Sequence, residues 1–262
     1  MTPENLIVER VEPGIQVIKI SRPKALNALN TATLEELDEV LRSASSDASI
    51  RVVVLTGDGE KSFIAGADIT EMQHKTPQQA TEFAGLGHKV TKHLELMPKP
   101  TIAAVNGFAF GGGTEMAIAC DFILASANAV FAQPEVGLGI IPGFGANVRL
   151  AKFVGLARAK EMIFSGRRVK ADEAVAIGLA NRVFPAEEFM ARVLEVAQQI
   201  SRNSHSAVAC AKRILNESSE SVGLTSKLDT EARAFGGLFG GGDQLEGMTA
   251  FVEKRKPGFE GL

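Results

Sequence analysis

The sequence predicts an α/β fold with a helical C-terminal part, and three observations predict it. Strand-like and helix-like patterns alternate through the first part of the chain, and apolar residues recur at helical spacing from Val148 onward. A composition of 45% hydrophobic and 23% charged residues is the balance of a chain that buries a core. At 262 residues the chain can bury about three quarters of the surface its unfolded form exposes, so no disulfide or metal staple is required.

The elements follow in order. Gly14-Ile15-Gln16-Val17-Ile18-Lys19-Ile20 alternates apolar positions and reads as a half-buried strand. Thr33 to Ala44 carries Leu34, Leu37 and Leu41 at helical spacing, with Thr33 suited to cap its start. The β-branched run Arg51 to Gly57 predicts a buried strand, and Thr101-Ile102-Ala103-Ala104-Val105 another, entered from Pro98 and Pro100 and closed by Asn106-Gly107. Strand, helix, strand, helix, strand implies right-handed crossover units. Helices are then predicted at Val148 to Phe164, Ala171 to Ile177, Glu187 to Ile200, Ala207 to Asn216 and Ser226 to Leu238, as an all-helical tail. Acidic pairs at Asp172-Glu173 and Glu187-Glu188 suit first turns. No repeat or low-complexity linker sets the tail apart, so it is expected to pack on the core and on neighbouring subunits rather than fold alone.

Charge and motifs exclude several function classes. With 28 basic and 31 acidic residues, the net charge of −3 creates no field to gather nucleic acid. Local basic patches at Gly166-Arg167-Arg168-Val169-Lys170 and Glu253-Lys254-Arg255-Lys256 suit one phosphorylated small molecule or a solvated face. Cys120 and Cys210 show no CxxC spacing, the Met1-Thr2-Pro3-Glu4-Asn5 start does not resemble a secretory signal, and no uncharged run is long enough for a membrane span. A cytoplasmic protein, with no membrane partner, is the expectation. No GxSxG, HExxH or Walker lysine motif occurs, and Gly137-Leu138-Gly139-Ile140-Ile141-Pro142 has proline where a dinucleotide fingerprint needs its third glycine. His74, His88, His93 and His205 lack zinc-enzyme spacing, so no metal is expected.

The chemistry is expected where the glycines gather. Of 26 glycines, eight fall between Gly107 and Gly145. There a strand runs through Asn106-Gly107-Phe108-Ala109-Phe110 into Gly111-Gly112-Gly113 and then a helix. Glycine at a helix entrance admits a ligand to the backbone, where first-turn amides and the positive end of the dipole favour an anion or oxyanion. Glu115 lies in that first turn, and Gln133-Pro134-Glu135-Val136 places a second glutamate in an apolar loop. Glu115, Asp121 and Glu135 are the only charged residues between Lys99 and Arg149. A carboxyl among apolar groups has its pKa raised and can act as an acid, while a better solvated neighbour stays ionised as a base. Small residues at Ala65-Gly66-Ala67-Asp68 could supply a second backbone donor, since oxyanion holes are commonly built from two segments. The later cluster Gly236-Gly237 and Gly240-Gly241-Gly242 reads only as a hinge in the tail.

Across nearly its full length the chain resembles the enoyl-CoA hydratase (crotonase) superfamily. The likeness is carried by Ser21-Arg22-Pro23-Lys24-Ala25-Leu26-Asn27, Ala65 to Asp68, Asn106 to Gly113, Glu115, Gln133-Pro134-Glu135 and Met248 to Lys256. The resemblance implies a crotonase-like ββα spiral core over 1–195 and a helical trimerisation region over 196–262. It implies hydration of a short-chain enoyl-CoA thioester in fatty-acid metabolism, with Glu115 as base, Glu135 as acid, and the amides of Ala67 and Gly112 as the oxyanion hole. Coenzyme A would lie along Lys24, Ala25 and Leu26 and along Ala65, Gly66, Asp68 and Ile69. Lys254 would reach a phosphate in a neighbouring subunit of a homotrimer or homohexamer. Coenzyme A belongs to the substrate, so no separate cofactor is implied. Isomerases, thioester hydrolases, hydratases of cyclic enoyl-CoA and non-catalytic binders share the scaffold; retention of both glutamates favours hydration. Thr114 replaces the usual cysteine before the first glutamate, and Pro142-Gly143-Phe144-Gly145-Ala146-Asn147-Val148-Arg149-Leu150 departs from the usual run bordering the acyl end.

Overall fold

β-branched and aliphatic runs become strands that hydrophobic helices cover on both faces. The protein is described by a computed structural model over residues 3–11, 13–218, 224–237, 239 and 242–259. It begins with β1 (Leu6–Val11), β2 (Ile15–Ile20), α1 (Thr31–Ser46), β3 (Val52–Gly57), β4 (Ser62–Ile64), α2 (Ile69–Met72) and α3 (Pro77–Leu96). Next come β5 (Thr101–Val105), β6 (Phe108–Phe110), α4 (Gly112–Ala119), β7 (Phe122–Ser126), β8 (Val130–Ala132), α5 (Ala146–Val154) and α6 (Leu156–Ser165). The chain continues through β9 (Val169–Lys170), α7 (Ala171–Ala176), β10 (Arg182–Phe184), α8 (Phe189–Ser201), α9 (His205–Ser218), α10 (Leu224–Gly237) and α11 (Gly242–Glu253).

Among the described residues, a six-stranded sheet runs β1-β2-β3-β5-β7-β10, parallel from β2 onward, and a second sheet runs β4-β6-β8-β9. β3, β5 and β7 of the first sheet are each followed by β4, β6 and β8 of the second. Each turn of this ββα spiral therefore delivers its short strand, and the loop after it, to one side of the molecule. Leu34, Leu37 and Leu41 of α1 pack with Val53, Leu55, Ala103 and Met116 in the main core. On the opposite face Phe189, Val193 and Ala197 of α8 cover Val17, Val52, Val54 and Ile102.

Four local expectations change. β2 is almost wholly buried rather than half-buried, because strands flank it on both sides and α8 covers the face left open by the alternation. Helix α1 starts at Thr31, capped by Asn30, whose side chain accepts the Thr33 amide at 2.9 Å. The helix expected over 148–164 is two, broken at Gly155, where φ is +79°. Both halves contribute buried residues to one core (Leu150, Val154, Ala159, Met162), so the apolar period runs through the break. The tail is not all-helical, since β9 and β10 return to the two sheets. Three-residue Arg182–Phe184 has too short a period to read; its parallel pairing with β7 makes it a strand.

The tail is bolted to the core by a buried ammonium. Lys212 of α9 reaches Asp121 at 2.9 Å and the carbonyls of Leu94 and Lys99 at 3.1 and 3.0 Å. Burial raises the Asp121 carboxyl above its usual range even against the opposing Lys212 charge. Arg51 adds bonds to the Ser201 and Phe259 carbonyls. Of the glycines read as a hinge, Gly236 and Gly237 close α10 and Gly242 opens α11; Gly240 and Gly241, with Leu238, lie outside the described residues.

Candidate active site

The three glycines after β6 are needed for three different close approaches. A Cβ on Gly111 would sit 2.4 Å from Glu135 Oε1, one on Gly112 3.1 Å from the Phe144 ring, and one on Gly113 2.0 Å from the Ile64 carbonyl. Gly111, at φ +47°, turns the chain into α4, and its own N–H donates to Ala132 at 2.9 Å. Thr114 is held by the same packing: its buried hydroxyl donates to the carbonyls of Ala109 at 2.6 Å and Ala132 at 3.1 Å. The helix entrance is thus a rigid, fully occupied turn.

Across from it stands the segment after β4. The Leu29 amide donates to Gly66 and the Asp68 amide to Leu29, both at 2.8 Å, and these bonds pin Ala67 between them. The Ala67 nitrogen lies 3.6 Å from where a Gly112 Cβ would stand. Among the described residues, neither the Ala67 nor the Gly112 amide has a hydrogen-bond acceptor, and both residues line one cavity. Two unpaired donors from separate segments, one at a helix start, converge there on a position suited to a developing oxyanion.

Both glutamates line the same cavity. Glu115 is 2% exposed; its Oε1 accepts the amides of Phe144 at 2.8 Å and Ala146 at 2.9 Å. Burial raises its pKa, while those amides and the charge of Arg149 oppose the rise. Glu135 opens a short 3-10 turn, and burial, reinforced by the negative charge of Glu115, pushes its pKa up to about 7. With its amide nitrogen turned toward Glu135, Gln133 donates to both carboxylate oxygens at 3.0 Å. The expected contrast between a buried acid and a solvated base is corrected here: both groups are buried, and backbone hydrogen bonds distinguish them. Glu115 is the more buried of the two, and it is the one whose two amide partners favour the ionised form against the rise that burial causes.

The cavity measures about 820 Å³, and its apolar wall includes Met72, Phe83, Leu138, Ile141 and Phe144. Phe83 and Phe144 pack with ring centroids 5.4 Å apart. Of the residues expected at the site, Ala65, Gly66, Ala67, Ile69, Gly112, Glu115 and Glu135 line this cavity. Lys24, Ala25, Leu26, Asp68 and Lys254 are not on its wall. Leu26 instead accepts the Ala65 amide at 3.1 Å, supporting the segment from behind. Asp68 caps α2 through Thr70 and pairs with Arg22 at 2.9 Å; the Thr70 bonds and Arg22 hold its carboxyl below the usual range. Lys254 is exposed just beyond α11. In the two basic patches, Arg167 is paired with Glu161 and Glu173, and Arg255 with Glu246 and Glu253.

Some participants have no signal in the sequence. The Phe144 and Ala146 amides act through backbone, and Met72 and Phe83 come from helices distant in sequence from either glutamate. Gln133 has a weak signal, as the polar residue two positions ahead of Glu135 in an apolar stretch.

A family model described as enoyl-CoA hydratase/isomerase matches residues 10–262. The chain is 49% identical over 256 residues to the short-chain-enoyl-CoA hydratase of Clostridium acetobutylicum, covering 96% of each. It is 46% identical over 259 residues to the crotonyl-CoA hydratase of Syntrophomonas wolfei, covering 99% of each. Among solved structures, an enoyl-CoA hydratase from Bacillus anthracis superposes with a TM-score of 0.96 at 39% identity, covering 99% of this chain and all of the other.

Proposed function

The chain belongs to the enoyl-CoA hydratase/isomerase family, and from that premise we propose that it hydrates a short-chain enoyl-CoA thioester reversibly to the 3-hydroxyacyl-CoA. The observation that carries the proposal is the meeting, in one apolar cavity, of two buried carboxylates and two amides without acceptors. The thioester oxygen is held by the Ala67 and Gly112 N–H groups, which bind it more strongly as negative charge develops in the transition state. Glu115 takes a proton from water as its oxygen bonds to the β-carbon, and Glu135 delivers a proton to the α-carbon. These steps need no cofactor beyond the coenzyme A carried by the substrate. The high identity to a short-chain and a crotonyl-CoA hydratase supports a short acyl group.

Mixing the protein with crotonyl-CoA should lower the conjugated enoyl absorbance until equilibrium with the 3-hydroxy product is reached. Persistence of that absorbance with crotonyl-CoA and with longer, branched and cyclic enoyl-CoA thioesters would refute the proposal.

The same reading includes a homotrimer or homohexamer. Support comes from Leu228, Phe235, Leu245, Met248 and Val252 on the C-terminal helices, each at least half exposed in the single chain. Sedimentation should give a molar mass of three or six chains; a monomer at micromolar concentration contradicts it. Among the described residues, no helix is long and apolar enough to cross a membrane. Two free cysteines support a reducing, cytoplasmic setting as part of the proposal.

A further inference from the structure

The carboxylate of Glu115 is only as well placed as the loop that holds it, and that loop has a support of its own. Phe144 and Ala146 donate to Glu115 through their amides, at 2.8 and 2.9 Å. The Phe144 carbonyl, on the other side of the same residue, accepts Arg149 Nη1 and the Thr91 hydroxyl, each at 3.3 Å. The guanidinium is fixed in turn by Glu95 of α3, which accepts its Nε at 3.0 Å and its Nη2 at 2.7 Å. The Arg149 side chain is only 12% exposed, so most of its contacts are with protein rather than with solvent. Gly145 makes room for it: a Cβ at that position, where φ is +120°, would stand 2.1 Å from Nη1.

We propose that Arg149 is a positioning residue for the reaction, clamping the 144–146 loop through the Phe144 carbonyl so that its amides hold the Glu115 carboxylate in place and ionised. The inference rests on the hydratase reading and deepens it. Two effects act together. The clamp orients the amides, and the fixed positive charge favours the carboxylate form, opposing burial. The other groups around Glu115 do not duplicate this. Glu135 faces it across the cavity with a charge of the same sign. On α3, Glu95 is paired with Arg149, while His88 and Lys92 are exposed, as is Lys152 on α5. The strands packed against α4, namely β4, β5, β6 and β7, contain no titratable side chain, and Asp121 just beyond α4 is paired with Lys212.

The sign of the pH effect follows. Glu115 must be ionised to accept a proton, so activity is lost as pH falls through its pKa. Removing Arg149 raises that pKa and moves the acidic limb of kcat/KM toward higher pH. In Arg149→Met, kcat for crotonyl-CoA should also fall by about tenfold or more with KM little changed, the pattern of a lost transition-state arrangement. Arg149→Lys keeps the charge but not the planar fork spanning Glu95 and the Phe144 carbonyl, so it should restore the limb more fully than kcat. Glu95→Gln leaves the guanidinium unneutralised and should shift the limb the other way, to lower pH.

The Glu115 carboxyl is also titrated by carbon-13 NMR in the substrate-free protein, with Glu115→Gln assigning its resonance. An upward shift in Arg149→Met and a downward one in Glu95→Gln support the inference whether or not the protein hydrates crotonyl-CoA. An unmoved Glu115 titration and acidic limb, with kcat falling only alongside thermal stability, overturns it. Should Arg149→Met fail to fold, the opposite-signed shift in Glu95→Gln decides, and its absence counts against the clamp.

Discussion

Glu115→Gln is expected to lower kcat for crotonyl-CoA hydration at least ~100-fold, the usual contribution of a positioned general base. The substitution is close to isosteric, and the amide oxygen of glutamine can still accept the N–H groups of Phe144 and Ala146, which now serve Glu115 Oε1. The fold and the loop should therefore survive, while the group that takes the proton from water is gone. Acyl-CoA binding, assigned in the proposed function to the Ala67 and Gly112 amides and the apolar wall, should change little. Calorimetric binding of a saturated acyl-CoA beside steady-state kinetics checks both halves. Turnover equal to that of the parent removes Glu115 from the proposed chemistry.

Glu135→Gln should cost as much, with a different signature. Its carboxyl is pushed up to about 7 by burial and by the charge of Glu115, so near neutral pH a substantial fraction carries the proton needed at the α-carbon. As pH rises through about 7 that proton is lost, and kcat/KM of the parent enzyme should fall on the basic side. Protonation of Glu115 sets an acidic limb; because the two carboxyls interact, the measured limits belong to the pair. In Glu135→Gln the remaining slow activity should no longer show that basic limb. Exchange of the α-proton of a 3-hydroxyacyl-CoA with deuterated water, followed by NMR, reads the same residue independently and should slow in step. Exchange at the parent rate would assign the proton to another group.

How much of this was legible in the sequence depended on whether the signal was local. The Gly111 to Gly113 run followed by Glu115 could be read as a ligand-facing helix start, because glycine at such a point speaks to backbone geometry directly. The reason each glycine is required was not legible: Glu135, Phe144 and Ile64 approach from three other segments. Thr33 suits a cap by residue type, yet the cap is Asn30, whose extended backbone lets its side chain accept the Thr33 amide. Gly155 interrupts a helical period without disturbing it, so the break between α5 and α6 left no trace in the apolar pattern. Nothing in the helical period around Arg149 indicates that Glu95 and the Phe144 carbonyl both meet its guanidinium.

By itself, the order of residues determined the α/β class, the strands at Val52–Gly57 and Thr101–Val105, the helices that cover them, and the placing of two glutamates in an apolar, glycine-rich stretch. Those properties follow from periodicity, backbone propensity and the rarity of charge in an apolar stretch, all of which act over a few neighbouring residues. Only the tertiary structure decided that Ala67 and Gly112 offer their amides to one cavity, and that Glu115 is the more buried carboxyl yet the one held by two N–H groups. It also decided that the Arg149 guanidinium of α5 meets the Phe144 carbonyl, on the same loop whose amides hold Glu115. Hydrogen-bond direction and desolvation depend on which groups meet in space. In a ββα spiral, the groups that meet come from successive turns far apart in the chain.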